Sequence, residues 1–262
     1  MSPIDVSLGE VAASVVLVAI AAAVSLWRKA DLESDLGLAV VRSFLQLTAI
    51  GYVIQAIFDS DSLWLVALLL AVMVGFGSAT AYNRAREVPR VLGPIVLALC
   101  SAAVVTLGLV LVLGVFDAEP RYLVPVGGMV IGNSMTAAAV ALNRLADEVA
   151  AQARLIEATL ALGATAREAS AGLVTRSLRS GLIPLIDSTK TTGVVFFPGT
   201  MVGMLVAGAE PLDAVRLQLI LLWVLLGSVA LAALIATTFG YRGYFTAAHQ
   251  LRQPEGVAST SR

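Results

Sequence analysis

A helix needs about 20 mostly apolar residues to cross the hydrocarbon core of a bilayer. This chain offers such stretches at residues 10–27, 37–58, 62–82, 91–115, 121–142, 187–208 and 212–240. That recurrence constrains the fold more than any other feature. Hydrophobic residues make up 58% of the 262, charged residues 13%, and the mean hydropathy is +0.90. A water-soluble domain carries roughly a quarter charged residues. In lipid, only helices and closed barrels satisfy every backbone amide and carbonyl. The runs are about twice the length of a barrel strand and do not alternate. The sequence therefore predicts an all-α, polytopic membrane protein of about seven helices, or six if residues 187–208 are re-entrant.

Orientation follows from the loop charges. With the N-terminus outside, every Lys and Arg falls on the cytoplasmic side except Arg42, Arg121 and Arg216, while the outer turns read DSD, DAE and AEPLD. The topology is N-out, C-in, in a plasma (inner) membrane. Residues 1–251 form one transmembrane domain, with a polar cytoplasmic insert at 143–186. Residues 252–262 read as a disordered tail. The opening MSPIDVSLGE has two acids and no base, which is not the start of a secretory signal peptide.

Several chemistries are excluded. The single cysteine, Cys100, and the single histidine, His249, cannot build a His/Cys metal cage or an internal disulfide. The two lysines, Lys29 and Lys190, lie outside any GxxxxGK[ST] pattern, so the chain has no phosphate-cradling loop of its own. Retinal needs a lysine in the last span, and residues 212–240 have none. No catalytic set is visible. Asp187, at the cytoplasmic end of the sixth span, is the acid nearest to mid-membrane, which argues against a proton-coupled carrier.

Within the insert, Leu155, Ala158 or Thr159, and Leu162 recur at helical spacing. Gly163 follows where a left-handed C′ residue belongs. Thr165 and Glu168 then have capping-box spacing. The pattern specifies helix, sharp corner, helix. The second helix is expected over about 166–180, closed by Gly181 and Pro184. Taken alone, this is equally an amphipathic hairpin lying on the membrane or on its own loops.

The stretch Glu157-Ala158-Thr159, then Leu160-Ala161-Leu162, then Gly163-Ala164, resembles the EAA loop of ABC-transporter permeases, with Thr159 in place of the second Ala. The IPL at 183–185 lies further on than usual. VRSFLQLTAIGYVI (41–54), IGNSM (131–135), IPLIDSTKTTGVVFFPGTMVGMLVAG (183–208) and YRGYF…QL (241–251) resemble, in order, the Fet-type permease family of bacterial iron exporters and plant aluminium-tolerance proteins. Thr200 and Met204 depart from that family's pattern. The resemblance implies a membrane subunit that binds no cofactor itself. It implies a homodimer powered by a separate P-loop ATPase, which would carry ATP and Mg²⁺. The expected cargo is iron, another metal, or an organic such as a sugar nucleotide. It also implies that Glu157, Ala158, Leu162, Gly163, Ala164, Thr165 and Glu168 meet the ATPase. An ATP-independent carrier or channel is the alternative.

Candidate path or hinge residues come from polar or kinked positions in the spans. Arg42 and Gln46 lie one turn apart in the second span, where Arg42 either snorkels or pairs with Asp187 or with an anionic substrate. Asp187 and Lys190 are spaced for a local salt bridge. Asn133 and Ser134 interrupt the fifth span. Pro198 and Gly199 predict a kink. The small-residue stripes 128/132/136 and 199/203/207 suit close helix packing, within one chain or across a dimer seam. Met129, Met135, Met201 and Met204 are soft potential ligands or simple gap-fillers, and no metal is assigned to them.

Overall fold

Six runs of apolar sequence become long helices in the computed structural model, which describes residues 8–28 and 32–252. The proposed tail, apart from Arg252, and Lys29 fall outside the described residues. In order, the long helices are α1 (Leu8–Arg28), α2 (Glu33–Ser60), α3 (Leu63–Arg84), α4 (Leu92–Val112), α5 (Pro120–Ala151) and α9 (Pro211–Gly240). Between α5 and α9 lie α6 (Ala153–Ala161), α7 (Ala166–Thr191) and α8 (Gly199–Val206). The chain is an all-α polytopic membrane protein.

The core is the mutual packing of α3, α4, α5 and α9. Its buried faces are largely small residues: Ala98 and Ala102 of α4, Ala138 of α5, Ala232 and Ala236 of α9, all at 0% exposure. Small side chains let these helices approach closely, where dispersion and not water exclusion holds helices together in lipid. Two glycines mark close helix contacts. A Cβ on Gly240 would meet a Leu142 methyl at 2.6 Å, and one on Gly181 would meet the Ala137 carbonyl oxygen and the Ala141 Cβ at 2.8 Å. The hairpin α1–α2 meets this core through α2, whose Ile50, Ile54 and Ile57 pack on it. The Ser25 hydroxyl donates to Glu33 Oε2 and accepts from the Leu32 amide, which ties the hairpin together. Ile57 is the one buried residue of α2.

Two features depart from expectation. First, α7 does not end at Gly181 and Pro184 but runs through both to Thr191. Gly181 serves a close crossing with α5, and Pro184 removes only one backbone donor from a helix already held by that neighbour. Second, residues 187–208 are not one helix. They comprise the end of α7, an irregular link over 192–198 in which Gly193 takes φ +84°, and the short α8 with Pro198 as its N-cap. A left-handed residue followed by a proline cannot continue a helix.

The insert also has no boundary at residue 143. α5 continues unbroken to Ala151, and 32 residues give a rod of about 48 Å at 1.5 Å per residue, well beyond a hydrocarbon core of about 30 Å. The segment at 152–165 therefore caps a protruding pair of helices.

Candidate functional site

The protruding end is a rigid corner. α6 closes with both hydrogen bonds of a Schellman turn: the Gly163 amide donates to the Leu160 carbonyl at 2.9 Å, and the Ala164 amide to the Thr159 carbonyl at 3.3 Å. Gly163 has φ +93°, a conformation that costs a glycine little. Two residues on, the Thr165 hydroxyl accepts from the Glu168 amide while Glu168 Oε2 accepts from the Thr165 amide at 2.8 Å. The capping box read from the spacing is present. The Thr165 bonds hold the Glu168 carboxyl below the usual carboxylate range.

Ile156 is the buried residue of α6, and Leu160 packs beside it on the core. That leaves the other apolar positions outward. Leu155 is 61% exposed and Leu162 89%, with Glu157 and Ala158 between them also exposed. Thr165 and Glu168 are exposed on the second arm, and Ala164 is half-buried. An uncovered apolar ridge on a stiff corner, surrounded by charge, is the kind of patch that marks an interaction site, with a protein or with a membrane.

The corner is braced to the bundle by a group not foreseen in the sequence. Glu148 of α5 is 6% exposed. Its Oε1 accepts from Arg144, and its Oε2 accepts from Gln152 at 2.6 Å and from Arg176 Nε at 2.9 Å. The Arg176 bond joins α5 to α7 across 28 positions of sequence. The i,i+4 spacing of Arg144, Glu148 and Gln152 was a readable signal; the partnership with Arg176 needed the fold. The segment after α9 adds a second brace. Gly243 sits where a Cβ would come within 2.0 Å of the Pro89 carbonyl oxygen, and His249 Nδ1 accepts from the Ala166 amide at 3.3 Å, at the first turn of α7.

The second site is an open face along α5 and α7. Arg176 meets Glu148, Gly181 meets Ala137 and Ala141, and Ser188 shares a cavity of about 260 Å³ with Asn133 and Thr136. These contacts set α7 antiparallel to α5. No charged residue lies on α5 between Arg121 and Arg144, and Asn133 stands near the middle of that stretch. Asp187, next to Ser188, is therefore level with the middle of that uncharged stretch of α5 and not with its end. It moved because α7 enters the bundle as one helix. Lys190 Nζ lies 3.8 Å from Asp187 Oδ1 with both side chains well exposed, so the local pair is a loose one.

The remaining candidates divide. Asn133 is exposed on the open face, its amide donating to the Met129 carbonyl at 2.9 Å, which leaves Oδ1 free to accept. Ser134 points the other way, fully buried, its hydroxyl without a partner among the described residues. Arg42 and Gln46 are exposed on α2, and the Arg42–Asp187 pair does not form within the chain. Pro198 and Gly199 open α8. Met201 is buried and Met204 half-buried, while Met129 and Met135 pack on the apolar core as gap-fillers do. Gly128 is used inside the chain, against Met73, whereas a Cβ on Gly132, Gly199 or Gly203 would meet nothing within 4 Å.

Comparison with known proteins adds a family. The model of the uncharacterised protein family UPF0014 matches residues 8–245. The UPF0014 membrane protein STAR2 of Oryza sativa subsp. japonica is 39% identical over 239 residues, covering 91% of this chain and 84% of that one. Protein ALUMINUM SENSITIVE 3 of Arabidopsis thaliana is 38% identical over 241 residues, 92% of this chain and 88% of that one. The probable iron export permease protein FetB of Escherichia coli (strain K12) is 34% identical over 241 residues, 92% and 93% of the two chains. No solved structure gives a significant match.

Proposed function

The chain belongs to the UPF0014 family of membrane proteins, and from that premise we propose that it is the permease subunit of an ABC transporter, driven by a separate P-loop ATPase. The single observation that carries this reading is the exposed Leu155–Ala158–Leu162 ridge on a corner fixed by a Schellman turn and a capping box. A motor can transmit force only through a stiff contact, and this one continues directly into α5 and α7. The corner faces the cytoplasm, in keeping with the basic loops on that side. ATP and Mg²⁺ belong to the partner.

The transporter is a homodimer with two motors in a bacterial inner membrane. ATP-driven closure of the motors moves the two corners, and α5 and α7 tilt with them. The open face lines the path. Its cargo is iron or another metal, exported from the cell, a reading supported by the name of the E. coli relative.

One observation favours a second reading. A carboxylate at mid-depth is what an ion-coupled carrier uses, and Asp187 precedes Ser188, which shares a cavity with Asn133. An ATP-independent carrier would need no partner at the corner.

Purification from native membranes separates the two. A P-loop ATPase recovered with the wild type, and lost from Leu162→Glu and Gly163→Pro, is the expected result. Recovery of the permease alone in several mild detergents, with flux that follows an ion gradient and ignores ATP, would establish the carrier instead.

A further inference from the structure

The first amide of a helix has no acceptor within that helix and must be met from outside. In α7 that amide belongs to Ala166, which is buried, and it is met by His249 Nδ1 at 3.3 Å, from 83 positions further along the chain. His249 is the only histidine in the sequence. The turn that carries it is closed and anchored. Phe245 and Leu251 form an antiparallel bridge, the Thr246 amide donates to the Gln250 carbonyl at 2.9 Å, and the Arg252 amide donates to the Tyr244 carbonyl at 2.7 Å. Tyr244 and Phe245 are buried in the core, and Leu251 packs against it. His249 takes φ +55°, a left-handed conformation uncommon outside glycine, and its amide donates to the Thr246 carbonyl at 3.1 Å.

We propose that His249 is a proton-operated latch between this turn and the foot of the corner: neutral, it holds the start of α7, and protonated, it lets go. To accept from Ala166, Nδ1 must carry no proton, which places the ring proton on Nε2. An imidazolium has donors on both nitrogens, so Nδ1 would then face the amide donor to donor. Its charge would also stand at the positive end of the α7 dipole. Both effects favour release.

The charged groups around the contact are Arg167 and Glu168 on the first turn of α7, Arg252 on the turn itself, Arg242 over the Phe239 ring, and Glu87 and Asp147, which act on Tyr244. Glu168 is the acid on the same helical turn as Ala166, and its Oε2 is already taken up by the Thr165 amide and hydroxyl. Histidine ordinarily changes charge between pH 5 and 8. Mild acid therefore opens the latch while Glu168 stays ionised and the capping box stays closed. Ala166 directly follows the corner, so an open latch lets α7 yield where a motor pushes. In the transporter reading, on which this consequence rests, mild acid on the cytoplasmic side loosens the coupling of ATP hydrolysis to movement of α7.

Spin labels at Thr175→Cys on α7 and Gln250→Cys on the turn, both exposed positions, read the latch in the full chain in nanodiscs, in a Cys100→Ser background with no ATPase present. Wild-type His249 should give one narrow distance at pH 8 that broadens at pH 5.5. His249→Asn, whose Oδ1 replaces Nδ1 without titrating, should stay narrow at both, and His249→Phe should be broad at both. A wild-type distance that is unchanged or narrows in acid, or a His249→Asn variant that broadens as wild type does, overturns the proposal. A second label pair, Thr191→Cys on α7 and Val104→Cys on α4, reads the motor stroke once the ATPase is bound. Its ATP-dependent shift should fall several-fold from pH 8 to pH 5.5 in wild type and persist in His249→Asn. A latch that opens while the wild-type shift persists overturns the regulatory role. An unchanged latch with the ATPase bound contradicts this inference alone, and a latch that opens in a chain that binds no ATPase contradicts the motor reading alone.

Discussion

Arg176 of α7 donates from Nε to Glu148 of α5 at 2.9 Å, and this bond locks the two arms that carry the corner. Both arginines around Glu148 are about half exposed, while Glu148 itself is 6% exposed. Removing the carboxylate leaves two cations that water can still reach. Hydrogen bonds to charged groups are worth about 1.5–3 kcal/mol, so Glu148→Ala should lower stability by about that much. Arg176→Ala should cost less, because Arg144 and Gln152 still serve Glu148. In the transporter reading both variants keep bound ATPase but hydrolyse ATP with little transport. Thermal unfolding in nanodiscs and a coupling ratio in proteoliposomes check the two parts.

Gly181 permits the crossing of α7 over α5. Any Cβ there lies 2.8 Å from the Ala137 carbonyl oxygen and the Ala141 Cβ, neither of which can rotate away. Overpacking of this kind costs typically about 1–3 kcal/mol. Gly181→Val should therefore destabilise the protein by that order, while Gly132→Ala, with open space around it, should leave the isolated chain unchanged. Melting temperatures of the two variants provide the comparison.

Ser134 gives the opposite sign. Its hydroxyl is fully buried without a hydrogen-bond partner among the described residues. Leaving a buried polar group unpaired costs about 1–3 kcal/mol. Ser134→Ala should be neutral or stabilising, and a clear loss of stability would mean that a water or ligand occupies the site in the membrane.

Acid should loosen the start of α7. The Glu168 carboxylate is held below its usual range by the Thr165 amide and hydroxyl. A depressed carboxylate stabilises fully above its unfolded value and loses that contribution as pH falls through its folded value. Amide exchange over 165–170 should thus stay protected at neutral pH and rise in acid below the ordinary glutamate range. In Glu168→Gln the same amides should exchange with no such acid step.

Local signals were the legible ones. Runs of apolar residues predicted α1 to α4 and α9 to within a few residues, because in lipid the length of an apolar run and the length of a helix are the same requirement, but they missed the last turns of α5 and read 187–208 as one span. Gly163, Thr165 and Glu168 declared the corner, since a left-handed C′ residue and a capping box are set by neighbours in sequence. What the sequence obscured depends on partners far along the chain. Gly181 and Pro184 read as a helix end because their role, a close approach to Ala137 and Ala141, is tertiary. The depth of Asp187 followed that error, because it depends on the α5–α7 register. Glu148 was silent until Arg176 arrived opposite it.

The central claim is that the Leu155–Leu162 ridge receives a motor. A photo-activated cross-linking residue placed at Leu162, which is 89% exposed, tests it in intact cells with no purification. The adduct is then identified by mass spectrometry. The account predicts a covalent link to a chain bearing a GxxxxGK[ST] loop, abolished when Gly163 is also changed to Pro. Adducts only with lipid or with this chain's own loops would contradict it, and the corner would then be an amphipathic hairpin resting on the membrane.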